Sequence, residues 1–118
     1  MADFLVDTDV FVDHLQGLHR FDPRSHRVYY SVVTRTELLA GNIAAELVNT
    51  LLAPFQEIPI GRALAERASR IRRGAGIRLG DALIAATAIE HELRLFTRNR
   101  SDLDNVSNLR IREIQLIA

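Results

Sequence analysis

The chain has 118 residues, of which 47% are hydrophobic and 25% charged, and its 15 basic and 15 acidic side chains balance. This length and composition are typical of one globular domain, so we expect a single domain over residues 1–118. The absence of cysteine excludes disulfides, thiolate metal sites and a cysteine nucleophile. All 15 basic residues are arginine, and the absence of lysine excludes a P-loop phosphate site and Schiff-base catalysis.

The sequence carries neither a secretory signal nor a membrane-spanning pattern. Its first residues lack a basic region followed by an apolar run, and no apolar stretch approaches the ~20 residues that a membrane span needs. We therefore expect a cytoplasmic protein that has no membrane partner.

Short apolar runs alternate with helical patterns, which is typical of an α/β fold with a parallel sheet. The first half predicts a strand over 4–6, a helix over 8–16, a loop over 19–27, a strand over 28–30, helices over 33–40 and 43–52, and a weak edge strand over 58–60. The second half predicts a helix over 62–73, a break at 74–76, an apolar helix over 81–93, a strand over 94–97, a loop over 99–108 and a strand over 111–116.

Four acidic residues fall at one edge of this predicted sheet, where strand carboxyl ends and helix amino ends meet. Asp7 ends the first strand, Glu37 follows the second, Asp81 opens the apolar helix, and Asp102 lies in the loop after the fourth strand. Two like charges ~4 Å apart repel by about 4 kcal/mol near a protein surface, so such a cluster favours a bound cation. Oxygen ligands suit Mg²⁺ or Mn²⁺, which can promote hydrolysis of a phosphodiester by water.

Each of these acids also has a simpler interpretation. Thr34 and Glu37 have the spacing of a helix capping box, in which Glu37 serves only the helix. Asp81 alone is a typical helix N-cap, and Asp102 is a typical turn residue. Any one acid is weak evidence, and the set of four is much stronger.

Four segments, taken together, resemble the PIN-domain family, and in particular the VapC toxins of bacterial toxin–antitoxin modules. They are Leu-Val-Asp-Thr-Asp-Val at 5–10, Ser-Val-Val-Thr-Arg-Thr-Glu-Leu-Leu-Ala-Gly at 31–41, Asp-Ala-Leu-Ile-Ala-Ala-Thr-Ala at 81–88, and Thr-Arg-Asn-Arg-Ser-Asp at 97–102. The resemblance implies a three-layer α/β/α fold around a five-stranded parallel sheet with the first strand at its centre. It also implies an endoribonuclease that uses Mg²⁺ or Mn²⁺, cleaves structured RNA such as tRNA or rRNA, forms a homodimer and is blocked by a VapB-like antitoxin.

The resemblance also assigns roles to individual residues. It implies that the acidic quartet is both metal-binding and catalytic, namely Asp7, Glu37, Asp81 and Asp102. Thr8 and Asn99 match accessory polar positions of the same pocket. The expected reaction is an in-line attack of water on the phosphodiester that leaves a 5′-phosphate and a 3′-hydroxyl.

The chain departs from the family pattern at three places, none of them in the quartet. Asp9 stands where the family often has Asn, so Asp9 is either a fifth acid of the site or a solvated side chain. Gly80 stands where Pro is common, and Leu103 where Phe is frequent. Asp13, one helical turn after Asp9, is expected on the solvated surface.

A basic segment is a candidate for RNA contacts. Residues 62–78 carry six arginines against one glutamate, a local charge of +5 in a chain of zero net charge. Arginine forms paired hydrogen bonds with phosphate, which makes this segment a candidate contact to the RNA backbone. The candidate residues are Arg72, Arg73 and Arg78. The alternative is a solvated helix face on which Glu66 pairs with Arg62 and Arg70.

Two other functions remain open at this stage. A haloacid-dehalogenase-type phosphatase would use Asp7 as its nucleophile, and Gly80-Asp81 would mimic its later acidic motif. That function requires a strand leading into Gly80, its usual lysine is missing, and it leaves Glu37 without a role. The other is a non-catalytic, RNA-binding relative of the PIN fold, which would have no need of four mutually repelling acids.

Overall fold

A computed structural model describes residues 3–113, with the side chain of Glu113 excepted. In chain order its elements are β1 (Asp3–Val6), α1 (Thr8–Leu15), β2 (Arg27–Ser31), α2 (Val32–Ala40), α3 (Ala45–Leu52), β3 (Gln56–Ile58), α4 (Arg62–Ala75), α5 (Leu79–Glu90), β4 (Arg94–Thr97), α6 (Arg100–Leu103) and β5 (Ile111–Glu113). The strands form one sheet in the order β3-β2-β1-β4-β5, and every neighbouring pair is parallel. The predicted five-stranded parallel sheet with a central first strand is confirmed.

Helices cover both faces of the sheet, as the short apolar strands require. On one face, side chains of β1 and β2 pack against α1, α2 and α3 through Val10, Phe11, Leu38, Val48 and Leu52. On the other face, Leu5 and Leu95 pack against α5 and α6 through Ile84, Ala85, Ala88 and Leu103. Helix α4 lies against α5 through Leu64, Ala68, Ala82 and Ala86. The predicted α/β/α layering is confirmed.

Several element boundaries differ from the prediction. Helix α4 continues to Ala75 and ends at Gly76, whose φ of 68° lies in the left-handed region that glycine tolerates. Helix α5 begins at Leu79, two residues earlier than predicted. Strand β3 spans Gln56–Ile58 and ends before Pro59, which lacks the N–H that a strand position uses.

The chain after β4 also differs. The predicted loop at 99–108 contains a short helix, α6, and the strand predicted over 111–116 is described only as far as residue 113. Residues 114–116 of that prediction lie outside the described residues. Among residues 3–113, no helix is long and apolar enough to cross a membrane.

Candidate active site

Asp7 lies at the carboxyl end of the central strand and is the N-cap of α1. Its backbone is extended while its side chain accepts a hydrogen bond from the backbone N–H of Thr8, with 2.7 Å between Thr8 N and Asp7 Oδ1. The other carboxylate oxygen, Oδ2, accepts a hydrogen bond of 2.8 Å from the Thr97 hydroxyl at the end of β4. Asp7 is only 5% exposed, so these contacts replace water around its carboxyl group.

The pKa of Asp7 is raised from 3.8 to about 7, chiefly by burial and in the same direction by the nearby charges of Asp9 and Asp81. The hydrogen bonds from Thr97 and Thr8 oppose this shift because they favour the charged carboxylate. Desolvation is the largest cause, so a buried carboxyl group at this position favours its proton unless a cation compensates its charge.

Thr8 connects Asp7 to the predicted acid on α2. The Thr8 hydroxyl lies 2.7 Å from Glu37 Oε1 and 2.9 Å from the Thr34 hydroxyl. The N-cap of α2 is Ser31, whose hydroxyl accepts from the backbone N–H of Val33 at 3.1 Å. Thr34 therefore lies inside the helix, and the capping-box interpretation of Glu37 is wrong.

The start of α5 lies against Glu37. A Cβ added at Gly80 would come within 3.2 Å of Glu37 Oε2, so the glycine leaves room for that carboxylate. Asp81 lies in the first turn of α5, and its side chain is 12% exposed with Arg78 Nε 3.4 Å away. The N-cap of this helix is Arg78, so the interpretation of Asp81 as the cap is wrong.

The segment before Gly80 decides against the phosphatase alternative. Residues 76–78 connect α4 directly to α5, and Gly80 itself is helical. In this described part of the chain no strand leads into Gly80-Asp81, as that alternative requires.

Asp102 joins the site through Asn99. The side-chain amide of Asn99 donates to Asp102 Oδ2 at 3.0 Å, and its backbone N–H donates to the Thr97 hydroxyl at the same distance. Thr97 in turn donates to Asp7. Asp102 is exposed in α6 and is linked to the buried carboxylate of Asp7 only through Asn99 and Thr97.

Asp9 and Asp13, one turn apart on α1, differ in burial and in their contacts. Asp9 is half-buried, with Oδ2 3.5 Å from the Thr97 hydroxyl and Oδ1 3.5 Å from the backbone N of Arg98, and burial raises its pKa. Asp13 is only 4% exposed, so its predicted place on the solvated surface is wrong. Its carboxylate binds the Arg98 guanidinium side-on, with distances of 2.5 Å to Nε and 3.2 Å to Nη2.

The arrangement offers only oxygen ligands, which fit a hard divalent cation. It brings Asp7, Glu37 and Asp81 to one edge and attaches Asp102 to that edge through Asn99. Within residues 3–113, no three His, Asp or Glu side chains already stand in an arrangement that would hold a metal ion. The oxygen donors and the desolvated carboxyl group of Asp7 therefore fit a cation. In this structure the carboxylates of Asp7, Glu37 and Asp102 instead accept hydrogen bonds from neighbouring residues.

The basic segment is only partly paired. Arg62 lies 3.6 Å from Glu66 on the surface, whereas the alternative pair of Glu66 with Arg70 does not form among the described residues. Arg72 and Arg73 are exposed in the last turn of α4. Arg78 faces Asp81, so it lies at the acidic edge rather than on α4.

Sequence reasoning did not assign a role to Thr97 or to the Thr8–Thr34 contact. Thr97 is the last residue of β4, and the rule that strand carboxyl ends share one edge could have found it. Thr34 is buried within α2, and its contact depends on how α1 meets α2. Nothing in the sequence pattern gives that packing.

Comparisons with known proteins agree with the family resemblance of the sequence. Residues 4–109 match the PIN domain family. Ribonuclease VapC10 of Mycobacterium tuberculosis is 39% identical to this chain, and the alignment covers 80% of this chain and 81% of that protein. A toxin–antitoxin complex from Klebsiella pneumoniae contains a chain with 29% identity and a TM-score of 0.74, with 94% of this chain and 99% of that one covered. DNA-bound VapBC from Salmonella typhimurium has a chain of the same fold, at 18% identity and a TM-score of 0.81, with 96% and 98% covered.

Proposed function

This chain belongs to the PIN-domain family, and from that membership we propose that it is an endoribonuclease of the VapC type. Its substrate is structured RNA such as tRNA or rRNA, and Mg²⁺ or Mn²⁺ is its cofactor. The similarity to a protein named as a ribonuclease supports the reaction class, and the oxygen-only donor set supports the choice of cation.

In this proposal Asp7 and Asp81 are the principal metal ligands. Glu37 and Asp102 complete the site, either directly or through water, and orient the attacking water. When bound, the cation makes water a better nucleophile and stabilises the leaving oxygen of the phosphodiester. Products with a 5′-phosphate and a 3′-hydroxyl are expected.

The other polar residues of the edge hold these carboxylates in place. Thr97 and the backbone N–H of Thr8 fix the two oxygens of Asp7, and the Thr8 hydroxyl fixes Glu37. Asn99 does the same for Asp102. Second-layer hydrogen bonds of this kind commonly orient ligands and adjust the affinity of a metal site.

One observation carries the proposal. Acids from three distant segments meet at one edge, since Thr8 joins Asp7 to Glu37 and Glu37 lies against Gly80 beside Asp81. Like charges are brought together in this way only at a cost, which a bound cation offsets.

We also propose the partners that the family implies. They are a VapB-like antitoxin that covers the acidic edge and a second copy of the chain, in the cytoplasm where tRNA and rRNA occur. The solved complex from Klebsiella pneumoniae supports the antitoxin, because it is described as a toxin–antitoxin complex. Arg72 and Arg73, exposed and without carboxylate partners among residues 3–113, would contact the RNA backbone, with Arg78 at the edge itself.

The test is cleavage of purified total tRNA and rRNA with added Mn²⁺ or Mg²⁺, with the fragment ends mapped. We expect discrete cuts by the wild type and at least a ~100-fold loss in Asp7→Asn and in Asp81→Asn. Asp104→Asn is the matched control, because Asp104 is an exposed acid that pairs with Arg100 on the surface at 3.3 Å. Ends carrying a 2′,3′-cyclic phosphate would contradict the mechanism, and RNA binding without any cutting would favour the non-catalytic alternative.

A further inference from the structure

A groove of about 510 Å³ lies between α4 and the segment that follows α6. Its apolar floor is formed by Ile71, Ala75, Ile89 and Val106, which belong to the core cluster on this face of the sheet or pack against it. The groove has a volume within the range of small-ligand sites, roughly 300–1,000 Å³. It is separate from the acidic edge, and the proposed reaction does not use it.

The rim of the groove combines positive charge with amide and hydroxyl groups. Arg67 and Arg70 project from α4, and Asn105, Ser107 and Asn108 line the opposite wall. Arg67 is held by an ion pair with Glu90 of α5. Arg70 is exposed and pairs with no carboxylate in the described part of the chain, so its guanidinium is available to an anion.

We infer that this groove binds one unpaired nucleotide of the substrate RNA, with the phosphate at Arg70 and the base over the apolar floor. Guanidinium groups bind phosphate, whereas amide side chains carry both a donor and an acceptor and can read the edge of a base. An acidic peptide offers carboxylates to the same arginine, and competition by such a peptide distinguishes the two occupants in the experiment below. The inference rests on the proposed ribonuclease function for the identity of the strand.

Both walls of the groove lead to the acidic edge. Helix α4 ends five residues after Arg70, about 8 Å farther along its axis, and continues through 76–78 into the turn that carries Asp81. The other wall follows directly on α6, the helix that contains Asp102. Arg72 and Arg73 lie in the last turn of α4, directly before the groove residues Gly74 and Ala75. A strand seated in the groove therefore continues toward the proposed catalytic carboxylates along a positively charged surface.

Gly74 provides a way to close the groove without changing its charge. It lines the groove, and a Cβ added at this position would meet nothing within 4 Å. Gly74→Trp should therefore fill the groove from a helical position, while Gly74→Ala adds only a methyl group. Arg62→Gln is the matched control for Arg70→Gln, because Arg62 lies on the same helix outside the groove.

The experiment measures binding of fluorescein-labelled hexauridylate by fluorescence anisotropy in EDTA, so that neither metal nor cleavage enters the readout. We expect Arg70→Gln to weaken binding roughly 5- to 20-fold and to reduce the magnitude of the slope of log affinity against log salt by about 0.7, the value for one phosphate contact to a single strand. Gly74→Trp should weaken binding at least ~10-fold, whereas Arg62→Gln and Gly74→Ala should change it less than ~3-fold. Thermal unfolding of each variant confirms that it is folded.

Three results would overturn the inference. They are equal losses in Arg70→Gln and Arg62→Gln, undiminished binding by Gly74→Trp, and displacement of the oligonucleotide by hexaglutamate at similar concentrations, which would assign the groove to an acidic peptide. Cleavage with Mn²⁺ is scored separately. If the wild type binds the oligonucleotide in the groove but does not cleave RNA, the proposed ribonuclease function is rejected and the groove inference stands. If the wild type cleaves RNA but both groove variants bind the oligonucleotide as the wild type does, the groove inference is rejected and the ribonuclease function stands.

Discussion

The hydroxyl of Thr8 lies 2.7 Å from Glu37 Oε1, although the two residues are 29 positions apart in the chain. The backbone N–H of the same threonine donates to Asp7 Oδ1. One residue therefore fixes two carboxylates, the first through its main chain and the second through its side chain. The spacing of two proposed metal ligands thus depends on a single hydroxyl group.

Replacing that hydroxyl group tests its role. Thr8→Val keeps the shape and the backbone donor to Asp7 but frees Glu37, so we expect Mn²⁺ affinity to fall roughly 10- to 100-fold. Thr8→Ser keeps the hydroxyl and should stay within ~3-fold of the wild type. Isothermal titration with Mn²⁺ measures both variants. Equal affinities in Thr8→Val and the wild type would show that Glu37 needs no such support.

The raised pKa of Asp7 predicts how stability depends on pH in metal-free protein. Between pH 3.8 and about 7 the unfolded chain releases this proton while the folded chain keeps it, so the free energy of unfolding falls as pH rises through that window. Asp7→Asn has no proton to release and keeps an oxygen for the Thr8 N–H. The variant should be more stable than the wild type above pH 7, by at most about 4 kcal/mol, with the gap closing toward pH 4.

Urea unfolding in EDTA at several pH values measures this gap. Asp104→Asn, at an exposed surface pair, should follow the wild type at every pH. Saturating Mn²⁺ at pH 8 should stabilise the wild type and leave Asp7→Asn nearly unchanged, because binding to the native state alone raises stability. A wild type that gains stability from pH 5 to 8 relative to Asp7→Asn would contradict the sign argued here.

Two glycine variants separate helix stability from site geometry. Gly80→Ala places a methyl group 3.2 Å from Glu37 Oε2, and that carboxylate must move. The helix itself gains about 0.5–1 kcal/mol from Gly→Ala, so the free energy of unfolding should stay equal or rise. We expect Mn²⁺ affinity to fall roughly 3- to 10-fold, since one ligand is displaced.

Gly74→Ala is the control for this change, because its methyl group meets nothing within 4 Å. It should raise the unfolding free energy by a similar ~0.5–1 kcal/mol and leave Mn²⁺ affinity unaltered. If both alanine variants bind Mn²⁺ like the wild type, the close approach of Gly80 to Glu37 has no part in the site.

The pair of Asp13 and Arg98 predicts an asymmetric response to mutation. The Asp13 side chain is 6% exposed and the Arg98 side chain is 50% exposed. Removing Arg98 therefore leaves the buried carboxylate of Asp13 unpaired, whereas removing Asp13 leaves a guanidinium that water can solvate. Arg98→Gln should destabilise by about 2–4 kcal/mol and Asp13→Asn by about 1–2 kcal/mol. Urea unfolding of both variants and of the double variant measures the difference. A larger cost for Asp13→Asn would mean that its contacts other than Arg98 dominate.

The sheet and its acidic edge follow from sequence because they depend on repeating patterns. Short apolar runs separated by helices fix parallel strands, and parallel strands place Asp7, Glu37 and Asp81 at one edge whatever the details of packing. These patterns carry no information on single contacts. The burial of Asp13 depends on Arg98, a residue 85 positions away, and no local pattern predicts it.

The helix boundaries that differ from the sequence prediction can be traced to particular residues. The low helix propensity of glycine argues against an early start of α5, yet the helix includes Gly80, which packs against Glu37 where a side chain would crowd its carboxylate. The short helix α6 has no apolar periodicity of its own, and it forms where Leu103 packs into the core. In both cases a tertiary contact decides what propensity alone leaves open.

The hydrogen bond from Thr97 to Asp7 joins residues 90 positions apart, and it sets an order of events during synthesis. Asp7 leaves the ribosome early, but the strand that buries it has not been made. At about 5–20 residues per second, ninety residues take roughly 5–20 s. Throughout that interval the nascent chain has no assembled acidic edge, so the proposed cleavage cannot begin until the ninety residues after Asp7 have been made.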